Sequence, residues 1–545
     1  MDAPDLILTG GSVFAPAEPA RRYTTVAVRS GRIAAVGGDE LRDAAGRGTE
    51  VVHVGGGLVV PGFQDAHIHP LQGGMERLSC DLSERASESE YLSVIKAYAD
   101  RRPDLDWVTG GGWMLSAFPG GLPRRESLDA VVADRPAFFP NREHHGAWVN
   151  TAALELAGVD ASTPDPGDGR IERDADGSPT GMLHEGAVDL VGRLLPVNSF
   201  DDQLTALLEA QRYLHSVGIT AWQDAILGTY SNTVDASPVY RACAESGRLT
   251  AKTVGALWWD RHRGAEQVDE LLERRAAYDL PRFRATTVKI MQDGIAENFT
   301  AAMTTPYLDA CGHPTSNAGH SMVDPVQLRE HVTVLDRLGF QVHIHAIGDR
   351  GVREALDAFE AARAANGPSD NRHHIAHIQV VHPDDIPRFA QLGVAANMQP
   401  LWAAHDPQMD ELTIPFLGPE RSQWQYPFAA LDASGAALVA GSDWPVSSPD
   451  PLQGIHVAVN RSLPAESEQR PPFLPEQALD VRTALTAYTA GSAWVNHLDD
   501  TGRVEVGAAA DLVVLDRDIL AGAPDAVASA VVEATYVDGV AVYRR

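Results

Sequence analysis

Short apolar runs recur through the middle of the chain, and most of them end in a polar residue or a glycine. Segments with apolar residues at helical spacing, such as 324–338 and 350–366, separate many of these runs. Strands that alternate with helices predict a parallel sheet, and eight of them predict an α/β fold with a closed (β/α)8 TIM barrel. The eight runs are PGFQDAHIH, GITAWQDA, LTAKTVGALWW, RATTVKIMQDG, GFQVHIHAIGD, RHHIAHIQV, GVAANMQP and AALVAGSDWPV.

The two ends of the chain have a different pattern. Residues 1–60 and 500–545 carry short β-branched runs broken by glycine pairs, with little helical periodicity. Neither end has enough strands to bury an apolar face by itself. We therefore predict one small β-sandwich built from both ends, with the barrel formed by residues 61–70 and 216–499.

One interval interrupts the barrel pattern. Residues 71–215 separate the first predicted barrel strand from the second, which is far longer than an ordinary connection in such a fold. The interval is rich in aromatic residues, so we predict a folded insert rather than a linker. Its role is either that of a lid over the barrel mouth or that of a structural or oligomerisation element.

Composition narrows the classes of function. The chain has 545 residues and a formal net charge of −30, which disfavours binding to nucleic acid or to anionic membranes. Its three cysteines form no CxxC pair, so a disulfide framework is not expected and a reducing compartment fits. No signal peptide or apolar run of about 20 residues is visible, which predicts a cytoplasmic protein.

Two histidines stand at the end of the first predicted barrel strand. His67 and His69 are two positions apart, and residues at this spacing point to the same side of a strand. Three further strand ends carry His345, His377 and Asp443, and Lys289 lies on the fourth strand. Because barrel chemistry gathers at the carboxyl ends of the strands, the set predicts a metal site. The alternative is that the six residues are unrelated and simply lie in the core or at the surface. That would require a coincidence at five strand ends.

Longer motifs surround these residues. VVPGFQDAHIHP, HGAWVNTAALELAGV, GRIERDADGSPTGMLHE, VKIMQDG, HIHAIGDR, HIAHIQ, GSDWPV and GAAADLVVLDRD follow one another along nearly the whole chain. Their order resembles that of the amidohydrolase superfamily of metal-dependent hydrolases, in its YtcJ-like branch, which includes N-substituted formamide deformylases. The motifs are specific for the family and much less so for the substrate.

The resemblance implies one or two divalent metal ions, most readily Zn²⁺. It implies that His67 and His69 bind the first ion beside Asp443, and that His345 and His377 bind the second. Lys289 matches the position of a lysine that many relatives carry in N6-carboxylated form as a bridge between the metals. The alternative is an unmodified lysine paired with a carboxylate such as Asp293.

The chemistry that follows is hydrolysis of a C–N bond in a small organic substrate, such as an N-substituted formamide or an N-acyl amine. A metal-activated hydroxide attacks, and Asp443 acts as general acid and base. His145, Trp113 and Asn298 are predicted to contact the substrate, and a purely structural role is the alternative for each of them. Hydrolysis of a lactone, carbamate, cyclic imide or phosphoester remains an alternative, as does a non-catalytic regulatory barrel. Nucleotide-linked redox chemistry lacks its GxGxxG loop.

Two positions depart from the pattern of the relatives. Ala376 stands where many carry a glutamate, which removes a hydrogen bond beside the ligand His377, and Met114 stands where a polar residue is common. The resemblance also suggests a homodimer, to which the sequence adds nothing of its own.

Overall fold

The structure is a computed structural model, and it describes residues 3–15, 22–83, 85–229, 234–464 and 470–545. The strands are β1 Leu6–Val13, β2 Tyr23–Arg29, β3 Arg32–Gly37, β4 Glu50–His53, β5 Leu58–Pro61, β6 Phe63–Ile68, β7 Cys80–Asp81, β8 Val108–Gly111, β9 Ala137–Pro140, β10 Gly146–Val149, β11 Gly169–Arg173, β12 Pro179–Glu185, β13 Ile219–Leu227, β14 Lys252–Trp258, β15 Asp279–Leu280, β16 Phe283–Met291, β17 Gln341–Ala346, β18 His374–His377, β19 Ala395–Met398, β20 Leu438–Ala440, β21 Leu512–Leu515, β22 Val532–Val537 and β23 Val540–Arg544.

The α-helices are α1 Pro70–Leu78, α2 Glu88–Arg101, α3 Arg125–Asp129, α4 Thr151–Ala157, α5 Asp189–Gly192, α6 Phe200–Ser216, α7 Ser237–Glu245, α8 Val268–Ala277, α9 Pro325–Arg337, α10 Asp349–Asn366, α11 Ile386–Leu392, α12 Ile414–Arg421, α13 Phe428–Ala433, α14 Pro451–Asn460, α15 Val481–Thr486 and α16 Ser492–Val495.

Eight parallel strands form the path of the central sheet, and the two-residue β15 pairs antiparallel with β16 beside it. The order of the eight strands is β20-β19-β18-β17-β16-β14-β13-β6, and each of the eight apolar runs of the sequence supplies one of them. The two outer strands meet beyond their ends, where Asp443 N donates to His67 O at 2.7 Å and His69 N donates to Trp444 O at 2.9 Å. The sheet is therefore nearly closed, as the predicted (β/α)8 barrel requires.

The main apolar core lies between the barrel strands and the surrounding helices. Long helices with one apolar face cover the sheet; α10, for example, buries Val352, Leu356 and Phe359. The barrel interior, in contrast, holds buried polar side chains, among them Gln223 and His343. Such groups are tolerated inside a protein only when they are hydrogen-bonded.

Both ends of the chain join one mixed sheet. Its path is β23-β22-β21-β5-β1-β2-β3, with β4 paired to β1, and β21 runs antiparallel to β5 from the other end of the chain. Lys252 of the barrel strand β14 contacts Asp511 and Asp538 at 2.5 and 2.8 Å, which ties this sheet to the barrel.

A second sheet lies within the long interval after β6. Six short strands pair in the order β11-β12-β10-β9-β8-β7. Trp113, Phe118 and Trp148 pack edge to face beside this sheet, with ring centroids 5.1–6.1 Å apart. The first and last helices of the interval, α1 and α6, differ from the rest, because Leu71 of α1 and Leu207 and Leu214 of α6 pack into the barrel core.

Across the described residues, no helix is both long and apolar enough to span a membrane.

Candidate metal centre and active site

Three of the predicted ligands meet where β6 and β20 end. His67 Nε2 and His69 Nε2 lie 3.1 and 3.0 Å from the same oxygen, Asp443 Oδ1. One ligand atom from each of the three residues falls within 4.8 Å of the others. Two imidazole nitrogens and a carboxylate that converge in this way form a donor set suited to a divalent transition-metal ion.

The backbone around this cluster is held in unusual conformations. Asp443 has φ 57° and His377 has φ 79°, values that non-glycine residues seldom adopt. The buried Asp65 carboxylate accepts hydrogen bonds from His67 N at 3.0 Å and from Ser442 N at 3.1 Å, which fixes the two strand ends against each other. Strain of this kind is typical of functional sites.

The second predicted pair lies beside the first. His345 and His377 have ring centroids 4.4 Å apart, and His377 lies 4.7 Å from His67. Trp402 stacks flat on the His377 ring, at 5.3 Å and 3°. Among the described residues, the buried His377 Nδ1 has no hydrogen-bond partner, and it lies 4.0 Å from Asp443 Oδ2. A buried ring nitrogen left unpaired in this way is available to bind a metal ion.

Lys289 projects from β16 into the same space. Its side chain is buried, and Nζ lies 3.4 Å from His343 Nε2. Burial lowers the pKa of Lys289 to about 7, against an opposing effect of Asp443. A large fraction of the amine is thus neutral at pH 7, and a neutral amine is the form that reacts with CO2.

The protonation states of the cluster suit metal binding. Burial, reinforced by Lys289, lowers the pKa of His67 to about 3, and burial holds the pKa of His345 and of His377 well below the usual range. Burial opposes ionisation of Asp443, but His67 and His69 outweigh it and hold the pKa of Asp443 well below its usual range. His67, His345 and His377 are neutral and Asp443 is charged, as ligands must be.

Two further predicted residues meet at the edge of the cluster. His145, at the start of the insert strand β10, has its ring centroid 5.8 Å from that of His345. Its Nδ1 lies 2.9 Å from Glu185 Oε2, and its carbonyl accepts a hydrogen bond from Asn298 Nδ2 at 3.1 Å. Asn298 thus supports the backbone of His145 and does not line the main cavity.

Trp113 does not take the position predicted for it. Its side chain is fully buried in the insert core, and Nε1 donates to Phe139 O at 2.8 Å. A large aromatic ring buries more area between packed strands than at a rim, which explains its place. The next residue, Met114, lines the cavity instead.

A single cavity of about 840 Å³ joins these groups. It is lined by the six predicted metal-site residues and His145, and by side chains of the insert and the barrel loops. Residues from the insert, Met114 and His144 among them, form one side of it. The volume suits a small organic molecule.

Several residues of the site were not predicted from the sequence. His343 shares the strand and face of His345, and QVHIH repeats the spacing of His67 and His69, so this signal was present. Glu185 had only its place in the motif GMLHE. Gln223 and Asp65 had no distinguishing signal, because buried and exposed polar residues look alike in a strand.

Comparisons with known proteins agree with this geometry. A family model described as "Amidohydrolase family" matches residues 50–543. The chain is 31% identical to the protein LONG AFTER FAR-RED 3 of Arabidopsis thaliana (99% of this chain, 91% of that protein). It is 30% identical to the putative amidohydrolase YtcJ of Bacillus subtilis (98% and 99%) and 29% identical to the N-substituted formamide deformylase of Arthrobacter pascens (95% and 95%).

A solved structure shares the architecture. An uncharacterized metal-dependent hydrolase from Pyrococcus horikoshii superposes with a TM-score of 0.73 at 26% identity, over 95% of this chain and 99% of that one. This chain belongs to the amidohydrolase family. It is a metal-dependent hydrolase of that family, similar to YtcJ and to N-substituted formamide deformylase, as the sequence motifs predicted.

Proposed function

We propose that the chain hydrolyses the C–N bond of a small neutral amide, such as an N-substituted formamide or an N-acyl amine. The observation that carries the proposal is the convergence of His67, His69 and Asp443 in one cavity with His345, His377 and Lys289. The formamide deformylase among the relatives supports the bond type.

The residues present fit one or two divalent ions, most readily zinc. His67, His69 and Asp443 would hold the first ion, His345 and His377 the second, and Lys289 in carboxylated form would reach both. When bound, the ions supply a water of lowered pKa and polarise the scissile carbonyl. The neutral histidines and the neutral fraction of Lys289 support these roles.

Asp443 is the general acid and base of the proposed reaction. Its carboxylate is ionised at neutral pH, so it accepts the proton of the attacking water. It then delivers that proton to the leaving nitrogen. His145, held by Glu185, faces the cavity from the insert and is placed to donate a hydrogen bond to the substrate.

The charges of the cavity argue for a substrate without a carboxylate. Glu76, Asp81, Glu143 and Glu297 line it, and among the described residues none of them has a lysine or arginine partner within 4.0 Å. The lining guanidinium groups are engaged elsewhere: Arg77 pairs with Glu209 at 3.2 Å, and Arg142 donates to Ser83 O at 2.5 Å. Burial raises the pKa of Glu76 to about 8 and that of Glu143 to about 7, so both groups are substantially protonated near pH 7. A substrate carboxylate would therefore be buried beside them without an unengaged guanidinium from the described part of the chain, which costs free energy.

The insert, residues 71–215, is proposed as a lid. Support comes from Met114, His144 and His145, which it contributes to the cavity. The barrel (61–70 and 216–499) and the terminal unit (1–60 and 500–545) complete the proposed domain division. A cytoplasmic location and a homodimer stay predictions.

Metal content tests the proposal first. Plasma mass spectrometry of protein grown with zinc is expected to give close to two ions per chain, with a clear loss in Lys289→Ala. Lys96→Ala, a change of an exposed lysine, is the matched control. One ion, unaffected by Lys289→Ala, would mean a mononuclear site. No ion in folded protein would overturn the proposal and favour a non-catalytic barrel.

Substrate choice is tested with a matched pair. N-benzylformamide is expected to be hydrolysed, and N-formylphenylglycine, which adds a carboxylate to the benzylic carbon, at least about tenfold more slowly in kcat/KM, because that carboxylate meets no unengaged guanidinium among the described residues of the cavity. Equal rates would contradict the charge argument. Turnover of lactones or carbamates, but of neither formamide, would move the proposal to those bonds.

A further inference from the structure

A chain of buried hydrogen bonds leads from the candidate metal centre into the barrel interior. His67 Nδ1 lies 2.9 Å from His343 Nε2, and His343 Nδ1 lies 2.8 Å from Gln223 Oε1. His374 Nε2 reaches the same amide oxygen at 3.1 Å. All four side chains are at most 1% exposed, so water does not compete for these bonds.

The orientation of the Gln223 amide follows from its other partners. Its Nε2 donates to Gln341 Oε1 at 2.9 Å and to Asn496 Oδ1 at 3.1 Å. The Gln341 amide is fixed in turn, because its Nε2 donates to the backbone carbonyls of Arg372 and Val495 at 2.8 and 2.6 Å. A backbone carbonyl only accepts. The oxygen of Gln223 is therefore the atom that faces His343.

The orientation of the Gln223 amide determines the tautomer of His343 and, through it, the tautomer of His67. Gln223 Oε1 can only accept, so His343 carries its proton on Nδ1 and leaves Nε2 as an acceptor. Lys289 Nζ, a donor, also faces this Nε2, at 3.4 Å. His67 Nδ1 must then donate to it, and the lone pair of His67 lies on Nε2.

The tautomer of His67 affects the candidate metal centre. His67 Nε2 is 3.1 Å from Asp443 Oδ1, so a nitrogen lone pair and a carboxylate oxygen face each other. Two acceptors at this distance repel unless both bind a cation. The hydrogen bonds inside the barrel thus point to a metal ion by a route independent of the ligand motif.

We propose that Gln223 and His343 are positioning residues that hold His67 as the Nδ1–H tautomer, with Nε2 directed at the first metal ion. This inference rests on the proposed function, because it requires that His67 bind a metal. The competing explanation is that the polar groups only fill the barrel interior.

Zinc affinity, measured by competition with a chromophoric chelator, tests the inference. His343→Phe removes the acceptor while keeping a ring, and is expected to raise the Kd for zinc about 10- to 100-fold. His343→Gln places an amide oxygen near the former Nε2 position and is expected to restore most of the affinity. Gln223→Leu removes the acceptor that keeps the proton of His343 on Nδ1, so His343 can adopt either tautomer. This variant is expected to raise the Kd for zinc by less than His343→Phe does.

A matched control separates this role from general packing. Gln64 is equally buried on β6 but bonds to Thr501, away from the chain of histidines. Gln64→Leu is expected to leave the zinc Kd unchanged. Circular dichroism of each metal-free variant confirms that it is folded. A His343→Phe protein with wild-type zinc affinity would overturn the inference and leave the proposed function standing.

A second measurement needs no metal. Proton–nitrogen correlation spectra of metal-free protein labelled with ¹⁵N-histidine report which ring nitrogen carries the proton, and His67→Ala assigns the signal. A proton on Nδ1 of His67 supports the inference, and one on Nε2 overturns it. If the wild type binds no zinc, the proposed function fails, and this spectrum still decides the tautomer.

Discussion

Asp443 combines burial, ionisation and a strained backbone in one residue. Its carboxylate meets two imidazoles, and its φ of 57° turns the chain so that the side chain faces the cavity. Left-handed conformations are most accessible to glycine, asparagine and aspartate, so few side chains satisfy both the backbone and the chemistry. Asparagine satisfies the backbone requirement but not the chemical one, so Asp443→Asn separates the two.

Asp443→Asn is expected to lower kcat on N-benzylformamide about 10²- to 10⁴-fold, because the amide cannot take up a proton while the backbone conformation is kept. Steady-state kinetics measures this effect, and metal analysis of the same sample shows whether an ion has been lost as well. Asp432→Asn, at an exposed position, is the control. A kcat within threefold of the wild type in metal-loaded Asp443→Asn would rule out Asp443 as the base.

One carboxylate fixes the connection between α10 and β18. Asp336, near the end of α9, accepts hydrogen bonds from Asn366, Ser369 and Asn371 at 2.7–2.8 Å. His373 Nδ1 accepts from Val342 N, so its Nε2 donates to Asp336 at 3.0 Å. These bonds hold the segment that leads into β18, the strand that ends at His377.

The pKa of Asp336 carries the pH dependence of this connection. Burial raises it, but the hydrogen bonds from His373 and the three polar neighbours outweigh burial and hold it well below the ordinary value of 3.8. A carboxyl group with a lowered folded-state pKa stabilises the fold above its unfolded pKa. That contribution is lost as the pH falls through the folded-state value.

Asp336→Asn is therefore expected to lower the free energy of unfolding by about 2 kcal/mol at pH 7, with a deficit that shrinks as the pH falls below about 4. Thermal melts of variant and wild type across pH measure the difference. Glu330→Gln, an exposed change on the same helix, is the reference. A deficit that is constant with pH would show that the charge of Asp336 does not stabilise this connection.

The elements also show what the sequence could predict. Each barrel strand lies in a short apolar run, most of these runs end in a polar residue or a glycine, and this pattern was sufficient to find all eight. The insert sheet was missed, because strands such as β8 and β9 have four residues each and β7 only two. The place predicted for Trp113 also differs from the observed one, for a related reason: a sequence does not distinguish an indole in the core from one at the rim of a cavity.

The order of the motifs along the chain predicted which residues would converge, and tertiary contacts supplied the other residues of the site. His67, Lys289, His345 and Asp443 could be identified because each lies near or just beyond the carboxyl end of a barrel strand. The bonds from Gln223 to Gln341 and Asn496 span more than 100 residues. No local pattern encodes them, so the hydrogen-bonded interior of the barrel becomes visible only in three dimensions.

The shared terminal sheet makes a prediction about the entire chain. β5 leads directly into the first barrel strand and is covered on one edge by β21, so removal of residues 510–545 would expose that edge beside the barrel. It would also remove Asp511 and Asp538, the partners of Lys252. An exposed apolar strand edge promotes aggregation.

We expect the chain lacking residues 510–545 to be recovered as aggregate, as measured by soluble yield and size-exclusion chromatography. Removal of Val540–Arg545 alone takes away only the outer strand β23 and is the matched control; it is expected to leave soluble protein with a lower Tm. If the larger deletion gave monodisperse protein with the zinc content of the wild type, the barrel would fold without the shared sheet. The terminal strands would then be an appendage rather than part of the folding unit.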